Sequence, residues 1–186
     1  MIGRLAVVVL LIFTLAGALS ARADSFSNGL AAYQRGDYVK AARELEPAAQ
    51  SGDPRAQALL GFLYDSGLGR PQAYVSAAEL YTRAAEQGYP EAQYLLGLLY
   101  DKGHGVPQDV VLAYMWLDLA AAGASKPDRE KIIRIKAAVA SKMTEAEIAK
   151  GQWLALHWSP KLTTGAGEAP PKRWRHKAAW PTKGAS

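Results

Sequence analysis

Residues 56–72 read AQALLGFLYDSGLGRPQ, and residues 92–108 read AQYLLGLLYDKGHGVPQ. The two stretches align without a gap at an offset of 36 residues, and the same offset extends backwards to about residue 38. A fixed period of this length is typical of repeat architectures, in which each unit buries its apolar face against its neighbours. The sequence therefore predicts a row of similar structural units.

Each unit is predicted to be a pair of antiparallel helices. The first segment of a unit places apolar residues on one helical face, at i, i+3, i+4 and i+7: Ala56, Leu59, Leu60 and Leu63. The glycines of stretch 66–71 supply the positive φ angles that a tight loop requires. A second apolar stripe follows in residues 74–85, and Gly88 is suited to end that helix.

The two quoted stretches resemble the Sel1-like repeat, a relative of the tetratricopeptide repeat, and the resemblance covers roughly residues 29–123. It implies an all-α fold, a right-handed α-solenoid of antiparallel helix pairs whose first helices line a concave face. It also implies a scaffold or adaptor that binds a partner protein or peptide. Some exported relatives are cross-linked by disulfides, and this chain departs from them because it has no cysteine.

The chain is expected to have three parts: a signal peptide (1–23), a repeat domain (24–160) and a disordered basic tail (161–186). The repeat domain is divided, in order, into a degenerate unit (24–54), two full repeats (55–90 and 91–127) and a helical cap (128–160). A stack of repeats needs such a cap, since otherwise its last apolar surface stays in contact with water.

Two helices are predicted in the cap. The first carries an apolar stripe: Ile132, Ile133, Ile135, Ala138 and Val139. Thr144 and Glu147 have the spacing of a capping box and are expected to open the second helix. Apolar residues follow within that second helix: Ile148, Trp153, Leu154 and Leu156.

The first 23 residues have the features of a secretory signal. Arg4 precedes a short apolar run, and Ala21 and Ala23 stand at −3 and −1 of an expected cut after Ala23. The run is short for a bilayer span, which needs about 20 residues. We therefore expect a periplasmic or secreted protein that has no transmembrane span after cleavage. The open alternative is an uncleaved signal anchor.

The net charge of +5 is concentrated in the tail. Residues 161–186 carry +5, whereas residues 24–160 carry −2. The residues expected to bind an anionic envelope polymer or lipid are Lys172, Arg173, Trp174, Arg175 and Lys177. Export argues against nucleic acid as the partner. A solvated terminus without a function is the alternative interpretation.

No catalytic residue, metal ligand or cofactor is predicted. The three histidines, His104, His157 and His176, lie far apart, and no metal-binding or phosphate-binding motif is present. The glycine pairs of the repeats follow helices rather than strands, which argues against phosphate loops. The chain is therefore predicted not to be an enzyme, and a cell-wall-acting enzyme is the least favoured of three functions.

The favoured function is an exported adaptor that holds a partner protein or peptide in the concave groove. Six residues lie on or at the end of the first helices, off their buried stripes, and are predicted to form that groove: Tyr33, Phe62, Asp65, Tyr94, Leu98 and Asp101. Aromatic side chains are frequent binding anchors. In the alternative arrangement these side chains pack against neighbouring repeats. The second function is envelope-surface binding through the tail.

Overall fold

The computed structural model describes residues 25–161, and within this range the chain forms helices and no strand. Helix α1 covers residues 25–34. The remaining helices are α2 (Tyr38–Gln50), α3 (Pro54–Ser66), α4 (Tyr74–Glu86), α5 (Pro90–Lys102), α6 (Val110–Gly123), α7 (Lys126–Ala140) and α8 (Glu145–Leu156). The predicted signal peptide, and the tail beyond residue 161, lie outside the described residues.

Successive helices pack antiparallel as pairs, and each pair packs on the next. Helices α1, α3 and α5 are the first helices of the three units, and α2, α4 and α6 are the second helices. The prediction of an all-α solenoid is confirmed. Buried alanines and leucines from both helices of each pair form a core that continues from one unit to the next.

Local sequence signals set the helix ends. Pro54 and Pro90 occupy the first turns of α3 and α5, where the missing N–H of proline is harmless. The carboxylate of Asp53 caps α3 by accepting the Arg55 N–H at 2.9 Å. Gly67 and Gly103 end these two helices in the left-handed conformation, with φ of 67° and 70°.

A glycine in each first helix allows the second helix of the same unit to approach closely. An added β-carbon on Gly97 would lie 2.9 Å from Cγ of Leu117, so a larger residue does not fit there. The same contact recurs in the other two units: Gly29 against Leu45, and Gly61 against Tyr81. The degenerate first unit thus keeps this feature, although its loop is shorter.

The glycine loop between the two helices of each full repeat packs against the preceding unit. Gly69 lies so close to the backbone of Tyr38 that an added β-carbon would be 2.3 Å from its carbonyl carbon. Gly105 has the same relationship to Tyr74, at 2.2 Å from the carbonyl oxygen. Each loop therefore packs on the start of the preceding unit's second helix. His104, in the later loop, has its ring 4.5 Å from that of Tyr74.

Two buried glutamines also join neighbouring units. Nε2 of Gln57 donates to the Ala49 carbonyl at 3.1 Å, and Nε2 of Gln93 donates to the Ala85 carbonyl at 3.2 Å. Each bond is a second hydrogen bond to a carbonyl at the end of the preceding second helix, which also accepts the backbone N–H of Gly52 or Gly88. The glutamines lie one period apart, and the sequence predicted no role for them.

The cap confirms one prediction and corrects another. Thr144 and Glu147 form the predicted capping box, in which the Thr144 N–H donates to Glu147 Oε2 at 2.8 Å. The predicted stripe on α7 is too wide, since Ile133 is 46% exposed while Ile132 and Val139 are buried. The reason is that α7 packs mainly on α6, so only a narrow face is covered.

The end of the described chain returns across the second helices. The Trp158 ring packs edge-on against Trp116 of α6, with 6.0 Å between ring centroids. Lys161 then donates its backbone N–H to the Glu86 carbonyl at 2.7 Å, and its Nζ lies 2.6 Å from Glu86 Oε1. Lys161, the first residue of the predicted tail, is therefore held at the end of α4.

Two apolar residues of α8 that were expected to belong to the cap are exposed instead. Trp153 and Leu156, expected among the apolar residues of the cap, are 58% and 81% exposed. The face of α8 toward α6 is instead formed by small residues, including the buried Gly151 and Ala155. An added β-carbon on Gly151 would lie 2.9 Å from the Tyr114 ring, so the two helices approach closely there.

Candidate functional site

The six predicted groove residues all lie on the first helices of their units: Tyr33 on α1, Phe62 and Asp65 on α3, and Tyr94, Leu98 and Asp101 on α5. Tyr33 and Phe62 meet in an aromatic cluster at the first interface. Tyr94 and Asp101 instead contact lysines of the cap.

The aromatic cluster joins the first two units. Phe62 is only 7% exposed and packs edge-on against Tyr33, with 6.2 Å between ring centroids. Tyr33 also lies 5.6 Å from the Tyr38 ring, and burial, reinforced by Tyr38, raises the pKa of Tyr33 to about 12. Phe62 therefore adopts the alternative arrangement, in which it packs between repeats rather than presenting an open surface.

The two aspartates stand at equivalent helix ends. Their backbone carbonyls accept hydrogen bonds from the loop glutamines, at 2.6 Å between Gln72 and Asp65 and 2.7 Å between Gln108 and Asp101. The Asp101 carboxylate also forms an ion pair at 3.0 Å with Lys142 of the cap. The Asp101 carbonyl thus binds the loop of its own repeat, and the Asp101 carboxylate contacts the turn between α7 and α8.

Tyr94 and Leu98 lie beside the cap and remain half-buried. The equivalent positions one period earlier, Ala58 and Phe62, are buried. The ammonium of Lys131 on α7 stands 5.3 Å from the centroid of the Tyr94 ring, a cation–π contact. Tyr94 and Leu98 are therefore more accessible than their counterparts in the preceding repeat, and they lie where α5 adjoins the cap.

Sequence reasoning missed the basic side chains that α7 contributes. Lys131 and Arg134 lie three residues apart on one side of α7, and Lys142 follows in the turn after the helix. Their spacing was visible in the sequence. What the sequence did not show is that this side of α7 faces α5, because that depends on how the cap packs.

The remaining predictions concern the basic tail, metal ions and a membrane span. The tail residues Lys172, Arg173, Trp174, Arg175 and Lys177 lie outside the described residues. Between residues 25 and 161, no group of three or more histidine, aspartate or glutamate side chains is arranged to hold a metal ion. In the same range no helix is both long enough and apolar enough to cross a bilayer.

Comparison with known proteins agrees with this geometry. Residues 54–89 and 90–125 each match the Sel1 repeat, and these segments are the hairpins α3–α4 and α5–α6. The chain contains two Sel1 repeats. A search of curated protein sequences gave no match.

Two solved structures illustrate the similarity. One is c5321, a protective antigen present in uropathogenic Escherichia coli strains and displaying an SLR fold, with 26% identity and a TM-score of 0.67. The match covers 74% of this chain and 29% of that one. The other is a Sel1 repeat protein from Oxalobacter formigenes, with 38% identity and a TM-score of 0.51, covering 53% and 39% of the two chains.

The matched region of this chain thus spans well under half the length of either solved protein. Sel1 repeat proteins generally mediate protein–protein interactions, and the fold is typically a non-catalytic interaction scaffold.

Proposed function

We propose that this protein is an exported scaffold that binds a partner protein or peptide on its first-helix face, where α5 adjoins the cap. One observation carries the proposal. Tyr94 and Leu98 stay partly exposed, while the equivalent side chains of the preceding repeat, Ala58 and Phe62, are buried. An accessible tyrosine beside an aliphatic side chain offers a large, rigid contact area at low entropic cost.

The export part of the proposal depends on residues 1–23, whose charged start, apolar run and Ala21–Ala23 exit have the pattern of a cleavable signal. In a periplasmic or secreted location the fold works without disulfides, because the chain has no cysteine. N-terminal sequencing of the exported protein is expected to give a chain that begins at Asp24. A chain that begins at Met1 contradicts cleavage.

Site-specific photocrosslinking tests the binding face. A photoreactive residue at position 98 is expected to capture a defined partner in cells of the exporting organism. The matched control carries the same residue at position 75, where Val75 is 61% exposed on the second helix α4. Equal capture at both positions, or capture only at position 75, contradicts the assignment of the face.

Alanine substitution gives a second test of the same face. Tyr94→Ala with Leu98→Ala removes the half-exposed apolar contact and is expected to weaken partner binding at least about tenfold, as for a hot-spot pair. Circular dichroism checks that the helices remain. Because Phe62 is buried, Phe62→Ala is expected to lower the stability of the solenoid and is not used as a binding variant.

Several carboxylates have structural partners, which supports a non-catalytic role. Asp101 pairs with Lys142, Asp118 with Lys136 and Glu86 with Lys161. The purified protein is expected to release no soluble fragments from peptidoglycan. Release of fragments at a rate that depends on protein concentration contradicts this part of the proposal.

A second candidate function is envelope-surface binding through the C-terminal end. Trp153 and Leu156 are exposed on α8, shortly before the predicted basic tail. Exposed tryptophan followed by basic residues suits an anionic membrane surface. A variant that ends at Lys161 is then expected to lose salt-sensitive binding to anionic vesicles. Undiminished binding by this variant contradicts a role for the tail.

A further inference from the structure

We infer that the outward face of α8 binds the same face of a second copy of this chain, as an antiparallel helix pair. The outward face, as we call it, consists of four exposed apolar residues: Ala146, Ala149, Trp153 and Leu156. This inference goes beyond the proposed function, because the partner-binding face lies on α5 and the outward face lies on α8.

The opposite side of α8 is already in use within the chain. Gly151 and Ala155 are buried there, and an added β-carbon on Gly151 would lie 2.9 Å from the Tyr114 ring of α6. At 3.6 residues per turn, the four residues of the outward face lie within an arc of about 80°, roughly opposite Gly151 and Ala155. The helix therefore has a second, narrow apolar face that stays exposed among residues 25–161.

Large apolar side chains are concentrated on this face. Trp153 is 58% exposed and Leu156 is 81% exposed, and the two lie one turn apart. The other large hydrophobic residues that are exposed between residues 25 and 161 stand one to a helix: Val39 on α2, Val75 on α4 and Ile133 on α7. Single exposed apolar residues are ordinary on protein surfaces, whereas a contiguous group indicates an interaction site.

The Trp153 side chain is held in place before any partner binds. The His157 ring stacks on the Trp153 ring, with 4.2 Å between ring centroids. Nδ1 of His157 also lies 2.8 Å from the Trp153 carbonyl oxygen. The stack restricts rotation of the tryptophan, so little side-chain entropy is lost on binding. A tryptophan held in this way is suited to anchor an interface.

The order of large and small residues favours a second copy as the partner. The outward face is symmetric about residue 151, with two alanines before it and the two large residues after it. In an antiparallel pair with a twofold axis at this position, Trp153 of one copy lies opposite Ala149 of the second copy. Leu156 lies opposite Ala146 in the same way. Each large side chain therefore meets a small one, as close packing requires.

The charges of α8 favour the antiparallel direction and a protein partner. A parallel pair would place Glu145 beside Glu145 and Lys150 beside Lys150, and such like-charge contacts are unfavourable. The antiparallel pair instead places Lys150 opposite Gln152 and the Glu145 end of one helix near the His157 end of the other. With two glutamates and one lysine, α8 also lacks the lysine and arginine excess of helices that lie on anionic membranes.

The size of this face predicts a weak dimer. Stable interfaces bury about 800 Å² on each partner, which is more than one face of a helix about 18 Å long provides. We therefore expect a reversible dimer with a Kd of roughly 10–100 μM. If the proposed function holds, such a dimer carries two partner-binding faces.

Analytical ultracentrifugation of the purified exported protein tests self-association. A shift from monomer to dimer is expected between about 1 and 500 μM. Leu156→Glu places a charge in the interface and is expected to abolish the dimer, whereas the matched control Val75→Glu on α4 is expected to keep it. A wild-type chain that stays monomeric, assembly beyond a dimer, or an equal loss in both variants overturns the inference.

An exchange of residue sizes tests the antiparallel register. Ala149→Trp alone places large side chains opposite each other and is expected to weaken the dimer about tenfold. Ala149→Trp with Trp153→Ala exchanges the two sizes and is expected to recover most of this loss, because each tryptophan again faces an alanine. Circular dichroism checks that both variants stay helical. Unchanged or tighter association of Ala149→Trp, or no recovery in the double variant, contradicts the register.

Cosedimentation with anionic vesicles distinguishes a lipid surface from a second copy. Vesicle binding that Leu156→Glu reduces, in a wild-type chain that remains monomeric without vesicles, assigns the outward face to the membrane and overturns the inference. Photocrosslinking at position 98 tests the proposed function separately, because Leu98 lies on α5.

Discussion

An added β-carbon on Gly61 would lie 2.8 Å from Cε1 of Tyr81, so α3 and α4 cross where only glycine leaves room for the tyrosine ring. Tyr81 is fully buried at this crossing. Glycine within a helix costs about 1 kcal/mol relative to alanine. The close crossing compensates for this cost, because it allows a large aromatic side chain to be buried between the two helices.

Gly61→Ala is expected to lower the free energy of unfolding by about 1–2 kcal/mol, since overpacking outweighs the gain in helix propensity. In a Tyr81→Ala background the same change is expected to cost nothing, because the ring that blocks the β-carbon is absent. Urea unfolding of the four proteins of this cycle measures the coupling. An equal cost in both backgrounds contradicts the contact.

The hydroxyl of Tyr81 is buried and has no hydrogen-bond partner among residues 25–161. Tyr81→Phe is therefore expected to leave stability unchanged or to raise it by up to about 1 kcal/mol. Burial, reinforced by Asp65, raises the pKa of Tyr81 well above 10.0. The folded protein therefore keeps the full stability that the neutral hydroxyl allows below pH 10.0, the ordinary pKa of tyrosine. This stability is lost as the pH rises toward the pKa of Tyr81 in the folded state.

Alkaline titration separates the two effects of this hydroxyl. Wild type is expected to lose stability above pH 10, and Tyr81→Phe is expected to lose less over the same range. Circular dichroism against pH checks this difference. Identical alkaline transitions, together with a clear loss of stability at neutral pH, indicate that the hydroxyl has a hydrogen-bond partner.

Two loop glycines with nearly equal φ angles form a matched pair. Gly105 has a φ of 71°, and an alanine β-carbon there would lie 2.2 Å from the Tyr74 carbonyl oxygen. Gly36 has a φ of 78°, and an alanine β-carbon there would meet open space. Gly36→Ala is expected to cost about 1 kcal/mol, the ordinary penalty for a left-handed alanine. Gly105→Ala is expected to cost clearly more, measured by thermal unfolding. Equal costs contradict the stacking role of the loop.

Two tryptophans near the end of the described chain also form a matched pair. Trp158→Ala removes a ring that packs on Trp116 and is expected to cost about 2 kcal/mol, below the value for a fully buried aromatic because the ring is half-buried. Trp153→Ala removes a ring that is 58% exposed and is expected to change stability by less than about 0.5 kcal/mol. A reversed order contradicts the observed packing of Trp158.

The capping box of α8 predicts a dependence on pH. Hydrogen bonds from the Thr144 backbone N–H and hydroxyl lower the pKa of Glu147 below 4.5. The ionised Glu147 carboxylate therefore contributes its full stability above pH 4.5. This contribution is lost as the pH falls through the lowered pKa that Glu147 has in the folded state.

Glu147→Gln is expected to reduce this loss on acidification, measured by urea unfolding at neutral pH and at about pH 3. Glu145→Gln, a change of the same charge in the same turn, serves as the control. Thr144→Ala is expected to cost about 1 kcal/mol at neutral pH, because the helix loses its N-cap. An identical acid response in wild type and Glu147→Gln contradicts the predicted pH effect of the capping box.

The candidate site shows where reasoning from the sequence ends. Phe62 and Leu98 occupy equivalent positions in the repeat, yet Phe62 is buried against Tyr33 and Leu98 stays half-exposed beside the cap. The repeat pattern assigned both residues to one groove. The difference arises from the neighbouring unit, because α1 supplies an aromatic side chain on one side and α7 supplies lysines on the other.

The sequence by itself determined the paired helices, their 36-residue period and the capping box at Thr144, because these depend on residues close together in the chain. Only the tertiary structure decided that Lys131 and Lys142 reach α5 and that Trp153 faces outward. Those features depend on which helix lies beside α7 and α8. Contacts between helices 30 or more residues apart leave no periodic mark in the sequence, since they follow from the angle and distance at which the elements pack.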